Sequence, residues 1–169
     1  MAAHPLDNLP AGSDVFLDAN VLIYWLCNRS TQCHHLLERC AKEEVYGVTS
    51  LHVVAEVTHR LMLVEAVEKG IIRKESSRDL EQRLDAIPGL SKYWVDTESI
   101  LNMNLLVFHT LEQQHRQAHA VRSAHGLLTN DSLIVAVMQE WGLHLLASAD
   151  ANFDHIPGLA RFSPTDVLV

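Results

Sequence analysis

The apolar positions of the chain form short β-prone runs that alternate with longer segments of helical spacing. Val15 to Leu17 is an apolar run that ends at Asp18, and the apolar residues 21–26 predict a helix directly after the turn. A second helix is predicted from Thr31, as its N-cap, to Glu44. Tyr46 to Thr49 then has the composition of a strand.

The middle of the chain has the pattern of a long helix followed by a charged helical region. Ser50 is predicted to cap the long helix, in which apolar residues recur at helical spacing until Gly70 ends it. The segment from Arg73 to Ser99 is charged and helical in character, and Ile-Pro-Gly-Leu at 87–90 interrupts it. This interruption predicts a helical hairpin that covers the core.

The last part of the chain repeats the alternation of strands and helices. Leu105 to Phe108 predicts a buried strand, and a polar helix then runs from Glu112 toward Ala124, before Gly126. Asp131 is predicted to open an apolar helix that extends to Trp141, and residues 144–147 predict a further strand. Short apolar strands that alternate with helices indicate an α/β domain with a mostly parallel sheet flanked by helices.

The length and composition favour one intracellular domain. A chain of 169 residues with 48% hydrophobic content is long enough to bury one substantial core. Residues 1–14 are predicted as a polar N-terminal leader without the features of a secretion signal, and residues 15–169 as a single domain. No segment has the length of an uncharged membrane span. Three cysteines, an odd number, fit a reducing cytoplasm better than a disulfide scaffold.

The charge balance limits how the chain can handle nucleic acid. With 13 Lys+Arg against 21 Asp+Glu, the formal net charge is -8, which argues against a protein that wraps nucleic acid by electrostatics alone. Divalent cations bound to clustered carboxylates offset such a field locally, since the ion is often the largest charge in its site. A chain of this charge that acts on nucleic acid therefore needs a bound cation.

Asp18, Glu56, Asp131 and Asp150 each stand next to, or inside, an apolar element. Each has an ordinary structural explanation: a turn or cap for the three aspartates, and an intrahelical pair with Arg60 for Glu56. The combination is more specific, because side chains at the carboxyl ends of parallel strands meet at one rim of the sheet. Hard divalent cations prefer such oxygen-only sites.

The segments that hold these acids resemble the ordered motifs of the PIN-domain family. They are residues 15–24 (VFLDANVLIY), Glu56 in its helix, residues 127–136 (LLTNDSLIVA) and residues 146–154 (LASADANFD). The order and spacing match from about Val15 to Val169, and the nearest resemblance is to bacterial and archaeal toxins of the VapC type. The resemblance implies a three-layer α/β/α sandwich with a mostly parallel central sheet and a helical hairpin covering one side.

The same resemblance implies an endoribonuclease that depends on magnesium or manganese, is usually a homodimer, and is often neutralised by a small antitoxin protein. Asp18, Glu56, Asp131 and Asp150 fall on the family's acidic, metal-binding positions, with Asp18 and Asp131 as the strongest candidates for direct ligands. The residues expected to support them are Asn20, Asn130, Ser148, Asn152 and Asp154. Asn152 is a departure, because many relatives have another acid there, and Asp154 is a candidate to substitute for it.

Other functions remain open on the sequence alone. One is an RNA-processing PIN nuclease without an antitoxin. Another is a metal-dependent phosphohydrolase acting on small phosphate esters, although Asn20 stands where that chemistry usually has a second aspartate. A third is a catalytically silent module that holds an antitoxin-like peptide in the groove between its helical hairpin and its core.

Overall fold

The structure, a computed structural model, describes residues 3–168 and contains one six-stranded sheet. Every neighbouring pair of strands in this sheet is parallel. The strands are β1 (His4–Pro5), β2 (Asp14–Leu17), β3 (Tyr46–Ser50), β4 (Leu106–Phe108), β5 (Leu145–Ala147) and β6 (Ala160–Ser163). Their order across the sheet is β1-β6-β5-β2-β3-β4.

In the described part of the chain, seven α-helices connect and cover the strands. They are α1 (Ala19–Leu26), α2 (Thr31–Ala41), α3 (Leu51–Glu68), α4 (Ser77–Glu81), α5 (Lys92–Leu101), α6 (Glu112–His125) and α7 (Thr129–Glu140). Three short 3-10 helices lie at Leu6–Asn8, Leu84–Gly89 and Ala151–Phe153. Within residues 3–168, no helix is long and apolar enough to cross a membrane.

The connections place the helices on both faces of the sheet. The chain moves from β2 through β3 to β4 at one edge, and then returns to β5 on the other side of β2. Because such crossovers are right-handed, helices from the two halves cover opposite faces. The packing agrees: α1 contacts α2 and α3, α3 contacts α5, and α6 packs on α7. The predicted α/β/α sandwich with a parallel central sheet is therefore confirmed.

The position of β2 determines where a site can form. β2 pairs with β3 on one side and with β5 on the other, so the strand order reverses at β2. Ligands in such sheets bind in the crevice at the carboxyl ends of the strands, where the strand order reverses. Asp18 directly follows β2, and Ser148 directly follows β5. The topology alone therefore brings these two segments to one crevice.

Two predicted helix starts differ from the structure. Ser30, not Thr31, is the N-cap of α2, because its hydroxyl accepts a hydrogen bond from the Cys33 amide at 3.1 Å. Helix α7 begins at Thr129, so Asp131 lies inside its first turn and is not its N-cap. An acid in the first turn of a helix is favoured by the helix dipole, which is why aspartate is compatible with both positions.

The edges of the sheet also depart from the sequence prediction. β4 is an edge strand in which Leu106 is 57% exposed, so it is not the buried strand that its composition predicts. Within the segment predicted as a polar leader, His4–Pro5 pairs with β6, and Leu6 and Leu9 are buried in the core. Met1, Ala2 and Val169 lie outside the described residues.

The charged region between 73 and 99 forms α4, a 3-10 turn and α5, so the predicted hairpin consists of one short and one longer helix. Glu65 of α3, only 2% exposed, anchors the start of α5 by accepting hydrogen bonds from the Ser91 and Tyr93 amides, both at 2.9 Å. Burial alone raises the pKa of Glu65, but these bonds and the ammonium of Lys69 outweigh it and lower the pKa to about 2.

Candidate active site

Asp18 occupies the carboxyl end of β2 and caps α1, and both of its oxygens are held by donors. Its Oδ1 accepts a hydrogen bond from the Ala19 amide at 2.6 Å. Its Oδ2 accepts one from the Ser148 hydroxyl at 2.6 Å and another from the Asn20 amide nitrogen at 2.5 Å. Because the side chain is 7% exposed, its orientation is fixed by the fold rather than by solvent.

Asn20 and Ser148 join the ends of β2 and β5 at this point. The side-chain oxygen of Asn20 accepts a hydrogen bond from the Ala149 amide at 3.0 Å, and its nitrogen also contacts the Ser148 hydroxyl oxygen at 3.2 Å. The same hydroxyl oxygen accepts a bond from the Asp150 amide at 3.0 Å. Two side chains therefore set the position of Asp18 relative to Asp150.

The charge of Asp18 is unfavourable where the fold places it. Burial raises its pKa from 3.8 to about 6, although the hydrogen bonds from Ser148 and Ala19 act in the opposite direction. The carboxylates of Glu56 and Asp131 raise the pKa further by repulsion. A neighbouring cation is what makes such an ionised carboxylate favourable.

Asp131 interacts electrostatically with Asp18 and Glu56, and also with the fourth acid, Asp150. It is half-buried in the first turn of α7. Burial raises its pKa, and the carboxylates of Asp150 and Glu56 raise it further. Since Asp18 interacts with Glu56 and Asp131, and Asp131 interacts with Asp150, the four acids predicted from the sequence repel one another in one region of the molecule.

An open cleft of ≈ 480 Å³ lies over this region. Its lining comes from α3, from the start of α7 and from the segment after β5, and consists of Glu56, Leu128, Thr129, Asn130, Asp131, Asp150 and Asn152. Three of the four predicted acids therefore face one cleft. The fourth, Asp18, is coupled to that cleft through its electrostatic interactions with Glu56 and Asp131.

Glu56 is oriented toward α7 and not along its own helix. Its Oε2 accepts a hydrogen bond from the side-chain amide of Asn130 at 2.8 Å. In the described part of the chain, Arg60 makes no ion pair with Glu56, so the intrahelical pair that explained Glu56 structurally is not formed. The bond to Asn130 instead places Glu56 beside Asp131.

Asp150 and Asn152 form a local turn in the lining of the cleft. Asp150 caps the 3-10 helix that follows it, with its Oδ1 accepting a bond from the Asn152 amide at 2.8 Å. Its Oδ2 lies 3.4 Å from the Asn152 side-chain nitrogen. Asn152 therefore orients Asp150 and supplies an amide where the family pattern has an acid.

Asp154 is placed differently from the sequence expectation. Its two oxygens accept hydrogen bonds from the guanidinium of Arg161 at 2.7 and 2.9 Å, and this bond lowers the pKa of Asp154. Arg161 is 7% exposed and donates a further bond to the Ser148 carbonyl at 3.0 Å. Asp154 thus pairs with a buried arginine that holds the backbone of Ser148.

Arg161 was not identified from the sequence, although it is tied to the site through Ser148. Its only signal is a charged residue inside the apolar run of β6, and that strand itself was not predicted. Arg122 of α6 is a second such residue, because it donates to the buried Ser132 hydroxyl at 2.9 Å, next to Asp131. Both arginines contact residues adjacent to the acids.

The donor set fits a hard divalent cation in chemistry. The acids and amides around the cleft present oxygen ligands, which Mg²⁺ and Mn²⁺ prefer. Within residues 3–168, no three His, Cys, Asp or Glu side chains stand close enough together to hold a metal in the arrangement observed. The repulsion that raises the pKa of Asp18 and Asp131 is the property of the site that a cation would relieve.

Comparisons with known proteins give the same fold. A crystal structure of VapBC2 from Rickettsia felis bound to promoter DNA matches with a TM-score of 0.58 and 16% identity, covering 89% of this chain and 98% of that chain. VapC20 of Mycobacterium tuberculosis, a toxin that cleaves the sarcin-ricin loop, matches with a TM-score of 0.56 and 15% identity, covering 85% and 95%. A toxin-antitoxin complex from Klebsiella pneumoniae matches with a TM-score of 0.52 and 19% identity, covering 86% of this chain and 95% of that chain.

Among known sequences, the chain matches a family model and not an individual curated protein. No curated protein matches the chain. The family model of the PIN domain matches residues 15–159, a range that includes all four acids of the cluster. The match therefore covers most of the chain and confirms the resemblance that the four segments carry, so the chain belongs to the PIN-domain family.

Proposed function

We propose that the protein is a cytoplasmic endoribonuclease that hydrolyses RNA phosphodiester bonds with Mg²⁺ or Mn²⁺ and is the toxin of a toxin-antitoxin pair. The observation that carries this proposal is the buried carboxylate of Asp18, at the crevice between β2 and β5, whose pKa is raised to about 6 by burial and by the acids that surround the cleft. Membership of the PIN-domain family supports it.

In this proposal, Asp18 and Asp131 bind the cation directly. Glu56 and Asp150, which line the cleft, bind it directly or through water and position the attacking water. The cation supplies charge stabilisation for the phosphate and lowers the pKa of a water molecule. No protein nucleophile is needed for this chemistry.

The remaining predicted residues orient these acids. Asn20 and Ser148 hold the Oδ2 of Asp18. Asn130 holds Glu56, and Asn152 holds Asp150. We expect such groups to affect cation affinity without touching the RNA, because partners behind a ligand fix its orientation.

An antitoxin partner and a homodimer are also part of the proposal. The structural neighbours include VapBC2 of Rickettsia felis and a toxin-antitoxin complex of Klebsiella pneumoniae, which supports a protein partner. Helix α5 exposes Trp94, Val95 and Leu101, and apolar side chains of this size are typical of contact surfaces. Light scattering of the pure protein tests the homodimer, and a monomer at micromolar concentration counts against it.

The experiment that tests the nuclease is RNA cleavage with Mg²⁺, with Mn²⁺ and with excess chelator. We expect cleavage only with a cation, and its loss in Asp18→Asn, which keeps the volume but removes the charge. Asp85→Asn is the matched control, because Asp85 is an exposed aspartate 3.6 Å from Arg83 in the 3-10 turn. Equal cleavage in chelator, or full activity of Asp18→Asn, contradicts the proposal. Cleavage of a phosphate monoester but not of RNA favours the phosphohydrolase.

The toxin role is tested separately from the nuclease. A short neighbouring reading frame for a DNA-binding protein is expected, and its purified product should abolish RNA cleavage. Cleavage that continues in the presence of that product, or a neighbourhood without such a gene, favours an RNA-processing nuclease that has no antitoxin.

A further inference from the structure

Most cations on the α3 side of the molecule are paired with acids, but one group is not. The pairs are Arg29 with Glu75, Lys69 with Glu65, Arg83 with Asp85, and Lys92 with Glu68. Among the described residues on this side of the molecule, four exposed cations make no ion pair. These are Arg60 of α3, Arg73 and Lys74 of the connecting segment, and Arg78 of α4, which together we name the α3–α4 basic surface.

This surface begins beside the active-site cleft. Arg60 follows Glu56 by four residues in α3, so the two side chains share a face of the helix and lie roughly 6 Å apart along its axis. Glu56 lines the cleft, and its carboxylate is turned to Asn130 instead of Arg60. The guanidinium of Arg60 is therefore available one helical turn from a proposed cation-binding acid.

A hydrogen bond connects the two helices of the surface at this level. His59, next to Arg60, contacts the hydroxyl of Ser77 through Nε2 at 2.7 Å. Ser77 is the first residue of α4, and Arg78 follows it directly. Arg60 and Arg78 thus each directly follow a residue of this contact between α3 and α4.

The charge distribution identifies the partner. A chain with a net charge of -8 and an acidic cleft repels a polyanion, so the phosphates on either side of a scissile bond need local cations. Cations already paired with carboxylates contribute less to such binding. Asp79 and Glu81 also lie on α4, but the unpaired cations of the surface outnumber them.

We propose that the α3–α4 basic surface binds the phosphates of the single-stranded RNA segment adjacent to the scissile bond, with Arg60 taking the phosphate nearest the cleft. This inference rests on the proposed nuclease function and adds to it the path of the substrate. The binding is electrostatic and independent of base sequence, because arginine contacts to phosphate position a nucleic acid without reading it.

The test is RNA binding measured without cleavage. Fluorescence anisotropy of a short labelled single-stranded RNA is recorded on the Asp18→Asn protein with Mg²⁺, in salt from about 50 to 200 mM. Each lost phosphate contact should reduce the slope of log K against log salt by about 0.7, which is roughly a fivefold loss of affinity at 0.1 M salt. Arg60→Gln and Arg78→Gln should each show this change, and the double variant about twice the change in slope.

Lys42→Gln is the matched control. Lys42 is an exposed cation without an ion pair in the described residues, and it is the C-cap of α2 before β3 begins, at the opposite end of the strands from the cleft. Lys42→Gln removes the same charge as the arginine variants. Because that charge lies far from the cleft and is screened by salt, its loss should change the RNA affinity by less than about twofold. Arg60→Lys keeps the charge and should retain the wild-type slope. Thermal melting of each variant checks that the fold is kept.

Three results would overturn the inference. The first is an unchanged salt slope in the double variant, and the second is an equal loss in Lys42→Gln. The third concerns polyglutamate, which stands for an acidic protein in the same anisotropy measurement. If the double variant loses polyglutamate binding but binds RNA as before, the surface belongs to an acidic protein partner. Cleavage by the wild-type protein reports on the proposed function separately: RNA bound through Arg60 but never cleaved refutes the nuclease and leaves the binding surface standing.

Discussion

The raised pKa of Asp18 makes a prediction about folding that does not require enzyme activity. In the unfolded chain its carboxyl ionises near 3.8, whereas in the fold the pKa is about 6. Below pH 3.8 the carboxyl is protonated in both the folded and the unfolded state, and its contribution to the free energy of unfolding is fully present. As the pH rises through the folded pKa, the native state must carry a buried charge and loses stability. Metal-free protein should therefore weaken between about pH 4 and pH 7.

The size of the effect follows from the two pKa values. The difference between 3.8 and about 6 corresponds to about 3 kcal/mol, of which about 2–3 kcal/mol falls within the range from pH 4 to pH 7. Asp18→Asn removes the titration. It also disturbs the hydrogen bonds from Ser148 and Ala19, but that loss is the same at every pH. The stability of the variant relative to the wild type should thus rise by this amount across the range.

Urea unfolding in excess chelator, at pH steps from 4 to 7, measures this relative stability. Asp85→Asn should give a curve parallel to that of the wild type, because the Asp85 side chain is 77% exposed. Added Mg²⁺ should stabilise the wild type above about pH 6 and leave Asp18→Asn unchanged, since only the ionised site gains a ligand. A difference between wild type and variant that does not change with pH would refute the reasoning.

Three further predictions concern single carboxylates. Glu56→Gln should keep the stability of the metal-free protein but reduce RNA cleavage at least about tenfold, roughly 1.4 kcal/mol, and a variant that melts earlier yet cleaves normally contradicts this. Glu65→Gln should lower the free energy of unfolding in urea by about 2 kcal/mol, against less than about 1 kcal/mol for Glu68→Gln at an exposed position. Because the pKa of Glu65 is lowered to about 2, its contribution to stability is lost as the pH falls from about 4.5 toward 2. Asp154→Ala should cost about 3 kcal/mol in thermal or urea unfolding, because it leaves the buried Arg161 unpaired, and an unchanged unfolding midpoint refutes that role.

The central strand β2 was predictable because residues 15–17 are buried and read as a continuous apolar run. Residues 15–17 lie at 0% exposure in β2, and the acid that follows them was located from this run alone. The edges of the sheet were not predictable in this way. The edge strand β1 has two residues and pairs with β6, which contains Arg161 and lies between β1 and β5, so the pairing of β1 with β6 joins the two ends of the chain. Such pairing leaves no periodic signal in either segment.

The candidate site shows the same division between local and long-range information. Its acids were recognised by their neighbours in sequence, and the structure places three of them in the lining of one cleft, with Asp18 coupled to two of these; their roles in catalysis stay a prediction. The bond between Asn130 and Glu56 joins residues 74 positions apart, so nothing in either helix predicts it. The pairing of Asp154 with Arg161 was missed because the arginine belongs to the strand that the sequence did not reveal.

The position of Asp18 explains why its unfavourable charge persists in the fold. Its backbone amide donates to the Ala147 carbonyl at 3.1 Å, as part of the contact between β2 and β5, and its carboxylate accepts bonds from both sides of that contact. The side chain cannot turn to solvent without breaking these bonds, so the repulsion from Glu56 and Asp131 is retained in the metal-free protein. Cation affinity and metal-free stability are therefore linked in opposite directions. A substitution that stabilises the protein by removing one of these charges should weaken its binding of Mg²⁺, and this reciprocity is expected of each acid in the cluster.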